Sequence, residues 1–270
     1  MFFSDNMLQL NRGTNMNNLI QLFLLFIIYS VIGWFIEMIP KSIKNKRFIN
    51  RGFLIGPYLP IYGSGAVIMT ILLQKYSNKL FILFLFSLII CSILEYITSF
   101  LMEKLFKARW WDYSKKPLNL NGRIWIGNAI AFGICGVIVI KINPFIINYL
   151  SKINTNTLLI ISIILFITFL LDLVISYNII NNFKKEVITR IEDSSEKMSN
   201  KVKEVLNTRI KLETDTITNK ITDLYNQITN EIKKAFSIRT VLYRRLINAF
   251  PDFQIGKSII KKVLKKLIKM

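Results

Sequence analysis

Histidine is absent from this chain of 270 residues, and only two cysteines occur, Cys91 and Cys135. Without histidine the chain lacks the commonest side chain for proton transfer near neutral pH and the commonest protein ligand of zinc, copper and iron. Both cysteines lie in apolar stretches, which excludes a disulfide framework and argues against thiol redox chemistry. The sequence therefore predicts no cofactor and no metal site.

Acidic residues are scarce: 16 aspartates and glutamates stand against 36 lysines and arginines. Residues 1–180 hold 16 basic and 6 acidic side chains, residues 181–236 hold 11 and 9, and residues 237–270 hold 9 and 1. No nucleic-acid recognition motif accompanies the basic terminus, so we expect no nucleic-acid partner. An anionic cytoplasmic leaflet of a lipid bilayer is the closer match to this charge.

Long apolar runs are abundant, and 52% of the residues are hydrophobic. Crossing a hydrocarbon core of about 30 Å takes roughly 20 helical residues. Five stretches reach this length: residues 17–39, 53–73, 80–102, 124–148 and 157–180. The composition and these runs predict an all-α, polytopic membrane helix bundle with five spans over residues 1–180.

The positive charges between these spans predict the orientation of the protein in the cell membrane. Five lysines and arginines lie between spans one and two, and six lie between spans three and four. The opposite side has four: Arg12, Lys75, Lys79 and Lys152. With an odd number of spans, the N-terminus is then outside and the C-terminus is in the cytoplasm.

Two further segments follow the spans. Residues 181–236 have apolar residues at alternating intervals of three and four, which is typical of a helix with a narrow apolar stripe. This long cytoplasmic helix either associates as a coiled coil or docks on the protein's own cytoplasmic face. Within residues 237–270, six lysines from Lys257 to Lys269 alternate with an apolar face, which predicts a basic amphipathic helix on the membrane surface.

The entry into span two is rich in glycine and proline, with six of them in the fourteen residues from Gly52 to Gly65. Proline removes amide donors at a depth where lipid offers no water to replace them. Interrupted helices of this kind form binding sites in transporters, although a loop that enters the membrane late is the simpler alternative. Tyr58 and Tyr62 lie four residues apart and either direct their hydroxyls to one point or anchor the interface.

Three carboxylates, Glu37, Glu95 and Asp172, lie within the predicted spans or at their cytoplasmic ends, and Glu103 follows Glu95 by about two helical turns. An unpaired carboxylate in this setting costs at least about 2.5 kcal/mol, so these side chains should point into the protein. The predicted partners enter from the same side: Arg51, Arg109 and Arg123. Such pairs either line a polar site or simply hold the helices together.

The connection between spans three and four begins with Arg109-Trp-Trp-Asp-Tyr113. Trp111 fits either an aromatic belt or a site, and Asp112 either binds a cation or holds Arg123. Asn119, Asn121 and Gly122 predict a tight turn whose side chains cap the fourth span.

As a set, these motifs resemble one family. The motifs are Tyr29-Ser-x-x-Gly-Trp-x-x-Glu37, Asn50-Arg-Gly-Phe-Leu-x-Gly-Pro-Tyr58, Pro60-Ile-Tyr-Gly63, Glu95-Tyr-x-x-Ser99, Trp111-Asp-Tyr-Ser114 and Asn119-Leu-Asn-Gly-Arg-Ile124. Over about residues 20–180 the chain resembles the ABC-transporter type IV (CmpB-like) family of bacterial integral membrane permeases. This resemblance implies a permease component of the bacterial inner membrane, without naming its substrate.

The resemblance also implies partners and site residues. No ATP-binding cassette occurs in the chain, so a nucleotide-driven role needs a separate ATPase subunit. Ten motif positions carry over as candidate binding residues: Glu37, Arg51, Tyr58, Tyr62, Glu95, Glu103, Trp111, Asp112, Asn121 and Arg123. Asp172 joins them because it is a carboxylate within a span, and no residue is assigned a catalytic role.

Three functions are compatible with the sequence. The first is a permease-like protein with a polar pocket on the cytoplasmic side, and five spans are few for one pathway, so we expect a homodimer. The second is a membrane-embedded enzyme that acts on a lipid or lipid-linked substrate through carboxylates and arginines. The third is a membrane scaffold that acts through its tail.

The orientation can be tested by cysteine labelling in a Cys91→Ser, Cys135→Ser background. We expect Lys115→Cys to react with a membrane-impermeant maleimide only after the cells are permeabilised, because the basic connections stay in the cytoplasm. Lys75→Cys, on the opposite side, should react in intact cells. Labelling of Lys115→Cys in intact cells would contradict the predicted orientation.

Overall fold

A computed structural model of the chain describes residues 15–106, 108–207, 245 and 254–255. The described residues are mostly helical and belong to two compact units. The first unit contains those of Met1–Phe100 and Asp112–Ser176, and the second contains those of Leu101–Trp111 and Tyr177–Met270.

The helices are long and the strands are short. The helices are α1 Asn15–Asn45, α2 Pro60–Leu73, α3 Leu80–Phe106, α4 Ile126–Ser151 and α5 Thr155–Asn207, with a 3₁₀ turn at Gln74–Tyr76. The strands are β1 Ala108–Arg109, β2 Asn119–Leu120, β3 Ile124–Trp125 and β4 Gln254–Ile255. Strand β2 pairs antiparallel with β3, and β1 pairs antiparallel with β4.

Within the described residues, four helical segments are long and apolar enough to cross a membrane: Met16–Asn45, Leu80–Phe106, Ile126–Ser151 and Thr155–Phe183. The predicted span over residues 53–73 is helical only in α2, whose 14 residues extend about 21 Å. Pro60 begins this helix, because proline fits the first helical turn, and residues 46–59 before it are not helical. A full-length fifth span is therefore not confirmed.

Packing in the first unit shows the direction of each helix. Ile20 near the start of α1 packs against Leu150 at the end of α4 and Leu158 in the first turn of α5. Leu73 at the end of α2 packs against Leu83 in the first turn of α3. Contacts farther along the helices give their direction: Tyr62 bonds to Glu37 while Ala66 packs against Tyr29, and Asn128 bonds to Glu95 while Gly136 lies against Ser87. Helix α1 is therefore antiparallel to α2, and α3 is antiparallel to α4.

Helix α2 starts beside the middle of α1. The Leu59 amide, just before α2, donates a hydrogen bond of 2.9 Å to the Ser30 carbonyl, halfway along α1. Glycine permits this close approach, because a Cβ at Gly63 would overlap the Phe26 carbonyl oxygen and the Ser30 hydroxyl. Residues 46–59, the entry segment, thus return along half of α1 before the chain becomes helical again.

A buried chain of hydrogen bonds joins three helices of the first unit. The Tyr29 hydroxyl donates to Asn143 Oδ1 at 2.6 Å, and Asn143 Nδ2 donates to Thr70 Oγ1 at 2.6 Å. The Thr70 hydroxyl in turn donates to the Ala66 carbonyl at 2.6 Å. Asn143 is fully buried, so this amide ties α4 to α1 and α2 without leaving its polar atoms unbonded.

In the second unit, the ring of Phe106 contacts those of Trp110 and Tyr177. Helix α5 continues without a break to Asn207. The apolar stripe predicted beyond that residue and the basic amphipathic helix of residues 237–270 lie outside the described residues, apart from 245 and 254–255. The domain boundaries at residues 180 and 236 remain predictions.

Two glycines of α2 provide a matched test of the α1 contact. Gly63→Ala should lower the stability of the purified protein by about 1–3 kcal/mol, because the added methyl group has no space beside Phe26 and Ser30. Gly65→Ala places its methyl group 3.6 Å from Leu94, an ordinary contact, and should be neutral or slightly stabilising. Thermal unfolding in detergent measures both. Equal midpoints for the two variants would contradict the close packing of α1 and α2.

Candidate functional site

Asn50 organises the entry segment. Its Oδ1 accepts hydrogen bonds from Trp34 Nε1 at 2.7 Å and from the Gly52 amide at 2.9 Å. Its Nδ2 donates to the Ile55 carbonyl at 2.9 Å. The Asn50 side chain thereby replaces several of the backbone hydrogen bonds that a helix would have made in this segment.

Asp172 on α5 binds the same segment from the other side. Its carboxylate accepts hydrogen bonds from the Ile55 amide at 2.9 Å and the Gly56 amide at 2.7 Å. The hydroxyls of Tyr58 and Ser176 add bonds of 2.6 and 2.8 Å. These four donors take the place of the predicted arginine partner. The charge of Asp172 therefore stabilises backbone amides that have no partner within a helix.

Glu37 and Arg51 form the ion pair expected from their common side. Arg51 Nε lies 3.2 Å from Glu37 Oε2, and the Tyr62 hydroxyl donates to Glu37 Oε1 at 3.0 Å. These groups come from α1, the entry segment and α2, respectively. A Cβ at Gly33, one helical turn before Glu37, would overlap the Tyr62 ring, so the glycine allows the phenol to reach the carboxylate.

Glu95 on α3 is buried and forms a different set of contacts. Asn128 Nδ2, in the first turn of α4, donates to Glu95 Oε1 at 3.3 Å and to the Tyr113 hydroxyl at 2.7 Å. Burial raises the pKa of Tyr113 to about 12. Tyr113 therefore remains a neutral hydroxyl at physiological pH.

These two sets of contacts lie close together. Glu37 and Glu95 interact electrostatically with each other and with both Tyr62 and Tyr113, and Arg51 also acts on Tyr113. The glutamate cluster is defined here by six residues of the first unit: Glu37, Arg51, Tyr62, Glu95, Tyr113 and Asn128. It brings four of the predicted site residues together and adds Tyr113 and Asn128, which the prediction did not include.

Arg123 and Asn121 bind the side of α3. Arg123 Nη1 donates to Ser99 Oγ at 3.2 Å, and its guanidinium lies over the rings of Tyr96 and Phe100. Asn121 Nδ2 donates to the Tyr96 hydroxyl at 3.0 Å. The guanidinium contact combines hydrogen bonding with cation–π attraction, which attaches the connection before α4 to α3.

The turn predicted around Asn121 is present as the hairpin of β2 and β3. Asn121 and Gly122 both have positive φ, and Asn119 Oδ1 accepts the Gly122 amide at 2.9 Å. The predicted capping of the fourth span is wrong, because the residue at the N-cap of α4 is Trp125 and no side-chain cap bond forms there. The asparagines close the hairpin instead.

The remaining predicted residues are Asp112, Glu103 and Trp111. Asp112 accepts hydrogen bonds from the amide and the hydroxyl of Ser114. Glu103 pairs with Arg109 at 3.3 Å, and these two residues and Trp111 belong to the second unit. They are therefore not part of the glutamate cluster as defined.

Asn50 and Tyr113 stand within motifs quoted from the sequence, so their positions were visible although their contacts were not. Asn128 is a polar residue in the first turn of an apolar helix. From that position alone, its side chain could have been predicted to point into the protein.

The role of the Asp172 carboxylate in holding the entry segment can be tested, with its neighbour Ser176 as the control. Asp172→Asn keeps the shape but removes the charge and one acceptor oxygen, and hydrogen bonds to a charged group contribute about 1.5–3 kcal/mol. We expect faster hydrogen exchange at the Ile55 and Gly56 amides, measured by mass spectrometry on peptides of the entry segment. Ser176→Ala removes one donor only and should leave this exchange close to wild type. Unchanged exchange in Asp172→Asn would contradict the role of the carboxylate.

Comparison with known proteins identifies the family. No curated protein and no solved structure matches the chain. A family model, described as Putative ABC-transporter type IV, matches residues 24–177, more than half of the chain. The matched range contains the entry segment, Asp172 and the whole glutamate cluster. The chain therefore belongs to the putative ABC-transporter type IV family, and with its apolar helices it is a multi-pass, transporter-like membrane protein.

Proposed function

We propose that this protein is the permease component of a transporter and that the glutamate cluster is its substrate pocket. The observation that supports this most directly is the gathering of two carboxylates, a guanidinium, two phenols and an amide from α1, α2, α3, α4 and their connections. Ionisable groups inside a membrane domain are costly and mark substrate or ion pathways by default.

A purely structural role for this cluster is the main alternative. Asp172 illustrates what that role looks like, because both of its oxygens accept hydrogen bonds from neighbouring donors. Glu95 differs, since its Oε2 is buried without a hydrogen-bond partner among the described residues. Buried polar atoms are nearly always bonded in stable proteins, so an unbonded carboxylate oxygen favours a site that a ligand completes.

We further infer that α2 and the entry segment together make a fifth crossing, with the N-terminus outside and the C-terminus in the cytoplasm. The antiparallel order of the helices supports five passes, and the positive connections support this orientation. The pocket then opens to the cytoplasm, the basic terminus contacts anionic lipid, and a separate ATPase subunit supplies energy. A homodimer would enlarge the pathway beyond what five short passes enclose.

The test compares strains of the native organism by untargeted mass spectrometry of cells, medium and lipids. We expect deletion of the gene to change the distribution of one solute between cells and medium, and wild type and Glu186→Gln to restore it. Glu95→Gln should restore at least tenfold less, because it removes the ionisable group of the pocket. Equal amounts of folded protein are verified by size-exclusion chromatography in detergent.

Other outcomes identify the alternatives. Accumulation of a lipid species, together with turnover of that lipid by purified protein without an ATPase, would indicate a membrane-embedded enzyme rather than a permease. Loss of function on deleting residues 181–270, with full function in Glu95→Gln, would indicate a scaffold that acts through its tail.

A further inference from the structure

Glu95 occupies an unusual position for a carboxylate. Its side chain is 5% exposed, within a helix that is long and apolar enough to cross a membrane. Its Oε1 accepts a hydrogen bond from Asn128 Nδ2 at 3.3 Å, and the Tyr113 hydroxyl is a second hydrogen-bonding neighbour of the carboxyl group. Its Oε2 is buried without a hydrogen-bond partner among the described residues, so the carboxyl group is enclosed but only partly bonded.

The charged and titratable groups around Glu95 come from every element of the cluster. Glu37 on α1 interacts with it unfavourably if both are ionised, and Tyr62 and Tyr113 contribute neutral hydroxyls. Cys91, on α3 itself, also interacts with it. Two arginines of the first unit have contacts with other residues: Arg51 pairs with Glu37 at 3.2 Å, and Arg123 donates to Ser99, one turn along α3.

No cationic side chain therefore appears among the described contacts of Glu95. An ionised carboxylate that is buried without a counter-charge is strongly unfavourable, whereas the protonated acid is neutral and has an O–H to donate. Asn128 can donate to either form through Oε1. The enclosed geometry is consequently suited to a carboxylic acid rather than to a carboxylate.

We propose that Glu95 is a proton-binding site of the glutamate cluster. The side chain holds a proton while the cluster is closed. When the cluster opens to water, the O–H bond breaks, the proton passes to a water molecule and the electron pair stays on the carboxylate, which the water then solvates. This deepens the proposed function by adding a proton to the occupants of the pocket, but it holds whether or not the pocket moves a substrate.

Dicyclohexylcarbodiimide tests the proposal on the purified full-length protein. The reagent accepts the proton of a carboxylic acid in an apolar site, the carboxylate oxygen adds to its central carbon, and the adduct rearranges to a stable N-acylurea without losing an atom. We expect this adduct on the peptide that contains Glu95 at neutral pH, with labelling that decreases as the pH is raised to about 9, where ordinary glutamates are long since ionised.

Matched glutamates serve as controls. Glu37, paired with Arg51, and Glu186, in the helix beyond the span, should remain unlabelled under the same conditions. Glu95→Gln should abolish the adduct. Asn128→Ala removes the hydrogen-bond donor that favours the ionised form, so it should extend labelling of Glu95 to higher pH and provides a second test if Glu95→Gln folds poorly.

If dicyclohexylcarbodiimide does not reach Glu95, infrared difference spectroscopy tests the proposal instead. Wild type minus Glu95→Gln should show the carbonyl band of a protonated carboxyl group, and that band should disappear on raising the pH. The proposal is overturned if this band is absent, or if Glu37 and Glu186 are labelled as strongly as Glu95. Neither result depends on transport, so failure here would leave the proposed permease role to its own test.

Discussion

The first unit depends on one requirement: backbone amides that are not in a helix must find acceptors within an apolar bundle. The entry segment follows α1 and returns beside it as far as its middle, and its glycines and prolines keep it from forming a helix. The Ser30 carbonyl, the Asn50 side chain and the Asp172 carboxylate supply those acceptors. The short helix α2 begins directly after this segment, at Pro60, and Tyr62 reaches Glu37 from that position.

The two kinds of buried carboxylate in this fold have different surroundings. Asp172 is surrounded by donors from backbone and hydroxyl groups, so its charge is compensated locally and permanently. Glu95 has one amide donor, a nearby phenol and a neighbouring glutamate. The contacts of Asp172 hold the entry segment in place. For Glu95, by contrast, we propose that the protonation state depends on whether water enters the cluster.

Sequence reasoning succeeded where a pattern maps directly onto geometry. Four apolar runs became helices of spanning length, and the pairing of Glu37 with Arg51 followed from opposite charges on one side of the membrane. It failed where the partner was backbone, because nothing in the sequence marks the Ile55 and Gly56 amides as the donors for Asp172. It also missed the contacts of Asn128, which depend on how α3 and α4 pack. The pair of Glu103 with Arg109 agrees with the expected partners. The helical part of the second predicted span is shorter than expected, because hydropathy does not record where Pro60 allows a helix to begin.

The hydrogen bonds among Tyr29, Asn143 and Thr70 have a mechanical consequence. They join α1, α2 and α4 in the half of the first unit away from the glutamate cluster, and each is 2.6 Å long or close to it in a fully buried setting. Separating these helices there would leave several polar atoms unbonded at once, which apolar surroundings penalise heavily. These bonds therefore oppose any separation of α1, α2 and α4 at that level of the first unit.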